Sequence, residues 1–258
     1  MIALVFITIT PNDHWVKFIQ TLKRKNYDIY IAIDDNTYHT SITENIQYIN
    51  ISREECENKG YNHALAPFHI NRPSAWDKAI YYFCEKNNNY DYVWFIEDDV
   101  FVPTKYTIYN IDKKYKNSDL LCCGNRNNQN NSYVNEDILE ENIKDNNKQL
   151  NLHWWGWELA EGKIDKPWEN SMVCACRLSN KLLGLIKNYV DKHHTLLYHE
   201  FMFNTLALHN NLKINYPNQL RGIVWRYDWK ITEIYKNGLY HPVKSIEKQF
   251  EFRKHFSK

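Results

Sequence analysis

Residues 92–102 read YVWFIEDDVFV. From Tyr92 to Ile96 every position is apolar, where a strand with one wet face would alternate. Such a strand is covered on both sides, which places it in the middle of a mostly parallel sheet with helices above and below. Three carboxylates, Glu97, Asp98 and Asp99, follow directly, so the chain delivers them to the rim where this strand ends.

The segments on either side agree with that placement. Ile2 to Ile9 is a β-rich run, Trp15, Phe18, Ile19 and Leu22 recur at helical spacing, and Asp28 to Ile33 is a second apolar run. Strand, helix, strand is how a parallel sheet opens. Tyr48 to Ser52 is expected as a third strand. From Pro73 onward, Ala75, Trp76, Ala79, Ile80, Phe83 and Cys84 share one helical face, with the proline suited to the first turn. Asp119 to Gly124 then predicts a short strand, Ser171 to Arg177 another, and Leu182, Leu183, Ile186, Tyr189 and Val190 a helix that Ser179 can cap. A further helix begins near His199. Asn125 to Leu150 is polar and Asn-rich and is expected as a loop or lid around one short helix. Without repeats or a Pro/Gly/Ser linker, the expectation is one α/β domain with a mostly parallel central sheet flanked by helices. Residues 1–118 form its βαβ-like half and residues 119–258 its mixed half.

A net charge of +1 over 258 residues gives no global field toward nucleic acid or an anionic membrane. The opening MIALVFITITP has no charged leader region and is too short to span a bilayer, and no later stretch is a membrane-span candidate. Six cysteines without a C-x-x-C pair suit reduced thiols packed as small hydrophobes, hence a cytoplasmic location.

Open α/β sheets bind ligands outside the carboxyl ends of their strands. Adjacent carboxylates there repel unless a cation lies among them, and oxygen ligands suit Mg²⁺ or Mn²⁺, which also grip nucleotide phosphates. The plain alternative is a solvated acidic turn. Asp34 and Asp35 end the second strand in the same manner, bringing carboxylates to one rim from two neighbouring strands. Neither a G-x-x-x-x-G-K-[ST] loop nor a G-x-G-x-x-G turn is present, so a metal would carry much of any phosphate charge.

In this order, Asp34-Asp35 after a strand, a helix with Trp76 and Lys78, and Glu97-Asp98-Asp99 after a strand, the chain resembles nucleotide-sugar-dependent glycosyltransferases of the GT-A fold, whose D-x-D signature varies to E-D-D. The segments MVCACRLS, EFMFNTLALHNNL and YHPVK extend the resemblance over most of the chain. It implies a GT-A-like domain and a UDP- or GDP-sugar donor, with Mn²⁺ or Mg²⁺ held by Asp99 and His241. Glu97 and Asp98 would contact sugar or ribose, or hold metal-bound water, while Asp34 and Asp35 would meet the nucleoside. Arg72, Lys78 and Lys244 would offset donor charge. A C-terminal segment whose anchor is the ion would be loose without it.

Trp154, Trp155 and Trp157 beside Glu158, with Trp168 following, suit an acceptor platform, because aromatic faces pack on sugar C–H faces and carboxylates bind hydroxyls. Glu200 at a helix start, with His199 beside it, is the candidate base for an acceptor hydroxyl. The leading expectation is therefore a hexosyl- or N-acetylhexosaminyl-type transferase acting on a glycan or other hydroxyl acceptor. The alternatives are a lectin-like inactive relative, a nucleotidyltransferase that makes sugar nucleotides, and a single-strand nucleic-acid binder, which the neutral charge disfavours.

Overall fold

The computed structural model describes residues 1–35, 37, 43–65, 71–124, 132–134, 160 and 162–256. Tyr92–Glu97 forms β4, and its side chains divide as an all-apolar strand requires. Val93 and Phe95 enter one buried cluster, and Trp94 and Ile96 enter another on the opposite face. Among the described residues β4 is the fourth of seven strands in one sheet, ordered β3-β2-β1-β4-β8-β5-β9. β1 (Ile2–Thr8), β2 (Tyr27–Ile33), β3 (Ile46–Ile49) and β4 run parallel. β8 (Ala175–Ser179) lies antiparallel between β4 and β5 (Leu120–Leu121), and β9 (Ile214–Asn215) closes that edge parallel to β5. The fold is thus mixed α/β with a mostly parallel central sheet, and strands from both halves of the chain share it.

On one face α1 (Asp13–Gln20) and α4 (Thr107–Lys114) bring Trp15, Ile19, Ile108 and Ile111 to the sheet. The other face carries α3 (Ala75–Tyr81), α5 (Asn180–His193) and α6 (His199–His209), which contribute Trp76, Leu183 and Phe201. α2 (Arg53–Asn58) follows β3, and α7 (Ile246–Phe256) ends the described chain. No helix among the described residues is long and apolar enough to cross a membrane. All six cysteines are free and buried.

Two expected strands shift. The third is Ile46–Ile49, not Tyr48–Ser52, because the Ser52 hydroxyl accepts from Glu55 N at 3.0 Å and caps α2. The strand expected at Ser171–Arg177 is Ala175–Ser179, and Ser171 instead gives its N–H to the Glu200 carbonyl at 3.0 Å. Ser179 does cap the following helix, accepting from Leu182 N at 3.2 Å. Of the expected lid only Ser132–Val134 is described, as a strand (β6) paired antiparallel with β7, Trp168–Glu169.

A buried ion pair ties the two halves of the sheet together. Arg177 on β8 donates to Asp112 on α4, and both side chains are nearly inaccessible. Asp112 also accepts from Tyr27 Oη at 2.8 Å and Trp94 Nε1 at 3.1 Å, while Arg177 Nη2 reaches the Ser118 carbonyl at 3.0 Å. Removing one partner strands a buried charge. Asp112→Ala is expected to cost about 3–5 kcal/mol of unfolding free energy in urea titration; a loss under about 1 kcal/mol would mean that water reaches Arg177 and replaces the pair.

Candidate functional site

β4 ends at Glu97 and the chain turns through Asp98 and Asp99, closed by Val100 N on the Glu97 carbonyl at 3.0 Å, which separates Asp98 from the other two carboxylates. Asp98 accordingly turns away: its Oδ2 accepts from Thr8 Oγ1 at the end of β1, and its N–H is held by the Ile7 carbonyl at 3.0 Å. Burial raises the Asp98 pKa, the Thr8 hydrogen bond opposing it. Glu97 stays with Asp99. Trp76 on α3 donates Nε1 to Glu97 Oε1 at 2.8 Å, fixing the carboxylate's orientation. The antiparallel register that pairs Ile96 with Ala175 places Cys174 opposite Glu97, and Glu97 N bonds the Cys174 carbonyl at 2.8 Å.

The remaining side of this cluster comes from the far end of the chain. β11 (Tyr240–His241) lies parallel to β10 (Gly222–Ile223), and Phe101 exchanges backbone hydrogen bonds with Tyr240 at 2.8 and 3.2 Å. Glycine is required at 222, where a Cβ would stand 2.4 Å from the Leu239 carbonyl oxygen. Val243 N reaches Asp99 O at 2.7 Å, and the wholly buried Gln249 of α7 spans Asp98 O at 2.8 Å and Val243 O at 2.9 Å. The C-terminal segment is therefore fastened to the acidic turn by its backbone. This corrects the expectation that an ion alone anchors it.

His241 gives its Nδ1–H to the Val224 carbonyl at 2.6 Å, which turns Nε2 toward the acids, 3.4 Å from Asp99 Oδ1 and 3.8 Å from Glu97 Oε2. A metal-binding histidine is oriented in this way, with the second nitrogen held by a carbonyl. Burial pushes the His241 pKa down, but the Asp99 and Glu97 carboxylates outweigh it and the net shift is upward. Burial and then Asp99 raise Glu97. Asp99 Oδ1 is buried without a hydrogen-bond donor. An orphaned carboxylate oxygen, a second carboxylate and a correctly turned imidazole fit a divalent cation. Among the described residues one further group, the Cys174 thiol, joins them: the ligand atoms of Glu97, Cys174 and His241 lie within 4.8 Å of one another.

Glu200 stands in the first turn of α6, 5% exposed. Burial and then the charge of Glu97 raise its pKa to about 8, with a Tyr198 hydrogen bond and His241 opposing. His199, also buried, donates Nδ1–H to the Ala64 carbonyl at 2.7 Å and lays its ring against Trp76, centroids 4.4 Å apart.

At the end of β2, Asp34 is gripped by two arginines: Arg53 Nη2 at 3.1 Å, and Arg72 through Nη1 and Nη2 at 3.2 Å each. Lys78 is 1% exposed and spends its ammonium on the carbonyls of Ile33 and Asp34, both at 3.0 Å. It braces the rim from beneath, because a buried ammonium needs acceptors and the end of β2 supplies them. Asp35 closes a turn, accepting from Thr37 N at 2.8 Å and Thr37 Oγ1 at 2.7 Å, which lowers its pKa. Lys244 is exposed just past Val243. Trp154, Trp155, Trp157 and Glu158 lie outside the described residues, while Trp168 is core, packed edge-on against Phe201 at 5.5 Å. Sequence reasoning placed Trp76 only on a helix face and missed Arg53, Cys174 and Gln249 as parts of the rim. For Cys174 the signal was available in its nearness to the strand that pairs with β4.

No family model matches the chain, and no curated protein matches it. Among solved structures it is similar to an active-site mutant of LgtC, at 12% identity and a TM-score of 0.45, covering 98% of this chain and 95% of that one. It is also similar to galactosyltransferase LgtC in complex with donor and acceptor sugar analogs, at 11% identity, a TM-score of 0.46 and coverage of 99% and 96%. A third likeness is to mouse xyloside xylosyltransferase 1, at 8% identity, a TM-score of 0.38 and coverage of 83% of each chain. These are likenesses of chain course and carry no residue equivalence.

The crowding of acids has a measurable consequence. A carboxyl whose folded pKa is raised stabilises the fold below its unfolded value and loses that contribution as pH climbs through the folded value. For Glu200 the window runs from 4.5 to about 8. In chelator the thermal midpoint of the wild type should therefore fall across that window, with Glu97 and His241 acting in the same direction. Glu200→Gln, which keeps the neutral form, should match the wild type near the lower limit and exceed it near the upper one by on the order of a few kcal/mol. Parallel curves for the two proteins would show that Glu200 is solvated.

Proposed function

We propose that this protein is a divalent-metal-dependent glycosyltransferase of GT-A type, moving a sugar from a nucleoside diphosphate to a hydroxyl acceptor. The observation that carries the reading is the convergence of Glu97 and Asp99 with His241 Nε2 at the carboxyl rim of a mostly parallel sheet. Nucleotide ligands sit at such rims. Glu97, Asp99 and His241 would hold Mn²⁺ or Mg²⁺, which supplies positive charge against the diphosphate oxygens as the sugar–phosphate bond breaks. Asp34, with Arg53 and Arg72 beside it, borders the same rim and suits the polar edge of a nucleoside, and the exposed Lys244 is placed for diphosphate charge.

Glu200 is the candidate for the acceptor's proton. As the acceptor oxygen bonds to the anomeric carbon, the bond from that carbon to the diphosphate oxygen breaks, the nucleoside diphosphate leaves and the hydroxyl proton passes to the carboxylate. His199, held by Ala64 and Trp76, supports the helix start on which Glu200 stands. Galactosyltransferase LgtC, whose complex holds donor and acceptor sugar analogs, is a likeness in accord with this reading.

The test is a calorimetric and thermal-shift screen of nucleoside diphosphates and their sugars with and without Mn²⁺. One base should raise the midpoint only when metal is present. Asp99→Asn and His241→Ala should each abolish that dependence while folding normally, since apolar side chains hold β4. A nucleotide bound equally by wild type and both variants would overturn the reading. Glu200→Gln should bind donor as the wild type does and lose about 10²-fold or more in turnover; full turnover would remove Glu200 from the proton path.

A further inference from the structure

Beside the carboxylates and imidazole lies a group of different chemistry. Cys174 is nearly inaccessible, at 6% exposure, and faces Glu97 across the β4–β8 pairing. Its thiol lies within 4.8 Å of ligand atoms of both Glu97 and His241. The other sulfurs whose partners are clear face core groups: Cys84 Sγ lies 3.4 Å from the Leu183 carbonyl, and Cys122 Sγ 3.7 Å from Asn204 Oδ1. Cys174 alone among the described cysteines shares a cluster with an imidazole and a carboxylate whose ligand atoms fall within 4.8 Å of one another.

Resting on the reading that Glu97, Asp99 and His241 hold a divalent cation, we propose that Cys174 is an additional ligand of that cation, making a mixed oxygen, nitrogen and sulfur set that shifts its preference from Mg²⁺ toward softer ions, Mn²⁺ before Mg²⁺ and Zn²⁺ or Co²⁺ before Mn²⁺. Bonds of about 2.0–2.3 Å to nitrogen, oxygen and sulfur keep the ligand atoms of one cation within about 4.6 Å of one another, whatever its coordination number. The ligand atoms of Glu97, Cys174 and His241 lie within 4.8 Å of one another, and His241 Nε2 stands 3.8 Å from Glu97 Oε2 and 3.4 Å from Asp99 Oδ1. Thiolates favour zinc-like ions, whereas a site for magnesium is built from oxygen and water. On binding, the S–H bond breaks, its proton leaves to solvent, and the sulfur lone pair forms the metal bond; no oxidant or reductant is involved. Glu97 keeps the Trp76 indole as its hydrogen-bond donor, which holds the carboxylate in place.

The experiment uses Co²⁺ added to the chelator-stripped full chain. The wild type should show a near-ultraviolet thiolate-to-cobalt charge-transfer band together with weaker visible bands. Cys174→Ser and Cys174→Ala should keep the visible bands and lose the charge-transfer band. In chelator competition, the Zn²⁺-over-Mn²⁺ preference should fall about tenfold or more in both variants, as expected when a soft ligand is removed. Metal-free thermal midpoints of the two variants serve as the folding control, and either variant suffices if the other does not fold. Cobalt bound in a His241-dependent manner, with spectra and zinc preference unchanged by either substitution, would overturn the thiol ligand and leave the functional reading standing. Failure of the wild type to bind cobalt at all, or binding indifferent to His241→Ala, would overturn both.

Discussion

Like-charge crowding at the end of β4 is the constraint around which the site is arranged. Glu97 and Asp99 both face His241, Glu200 lies within electrostatic reach of Glu97, and Glu200 is buried while the other two are half-buried. In a medium of low dielectric that arrangement is unfavourable unless protons or a cation relieve it. The protein answers in part with a neutral donor, the Trp76 indole on Glu97, and in part with the imidazole of His241, whose Nε2 stands 3.4 Å from Asp99 Oδ1. That oxygen makes no hydrogen bond and is one that a divalent ion would take as a ligand beside Nε2.

Holding the acids together despite their repulsion requires a rigid frame, and two devices supply it. Beneath the rim, Arg177 and Asp112 lock β8 to α4 while Trp94 ties β4 to the same carboxylate. Above it, Gln249, Val243 and Tyr240 pin the C-terminal segment to the backbone of residues 98–101. These contacts are made by peptide groups and buried amides, whose strength does not depend on the charge state of the site.

The end of β2 follows a different logic. Asp34 is neutralised by two partly exposed arginines, so a ligand arriving there would meet a fixed dipolar surface in place of a bare carboxylate. Arg72 grips it in the bidentate manner that suits a planar guanidinium. Lys78 holds the underlying carbonyls of Ile33 and Asp34, which ties α3 to the end of β2.

The sequence by itself determined the parallel core. An all-apolar Tyr92–Ile96 demands cover on both faces, and two strands ending in acids place carboxylates at one rim; those properties are local, written in periodicity and composition. Helix caps such as Ser179 were legible for the same reason. The boundaries that moved did so where one residue served two elements, as Ser52 does at the start of α2. Only the tertiary structure decided which acid faces which partner. Alternation at a strand end is weak once the chain turns, so Asp98 could join Thr8 and leave Glu97 with Asp99 only when β1 lay alongside. The meeting of Cys174 and His241 with those carboxylates depends on strand order and on a backbone clamp made by residues far apart in the chain, and no local pattern of charge or hydrophobicity encodes such a distance.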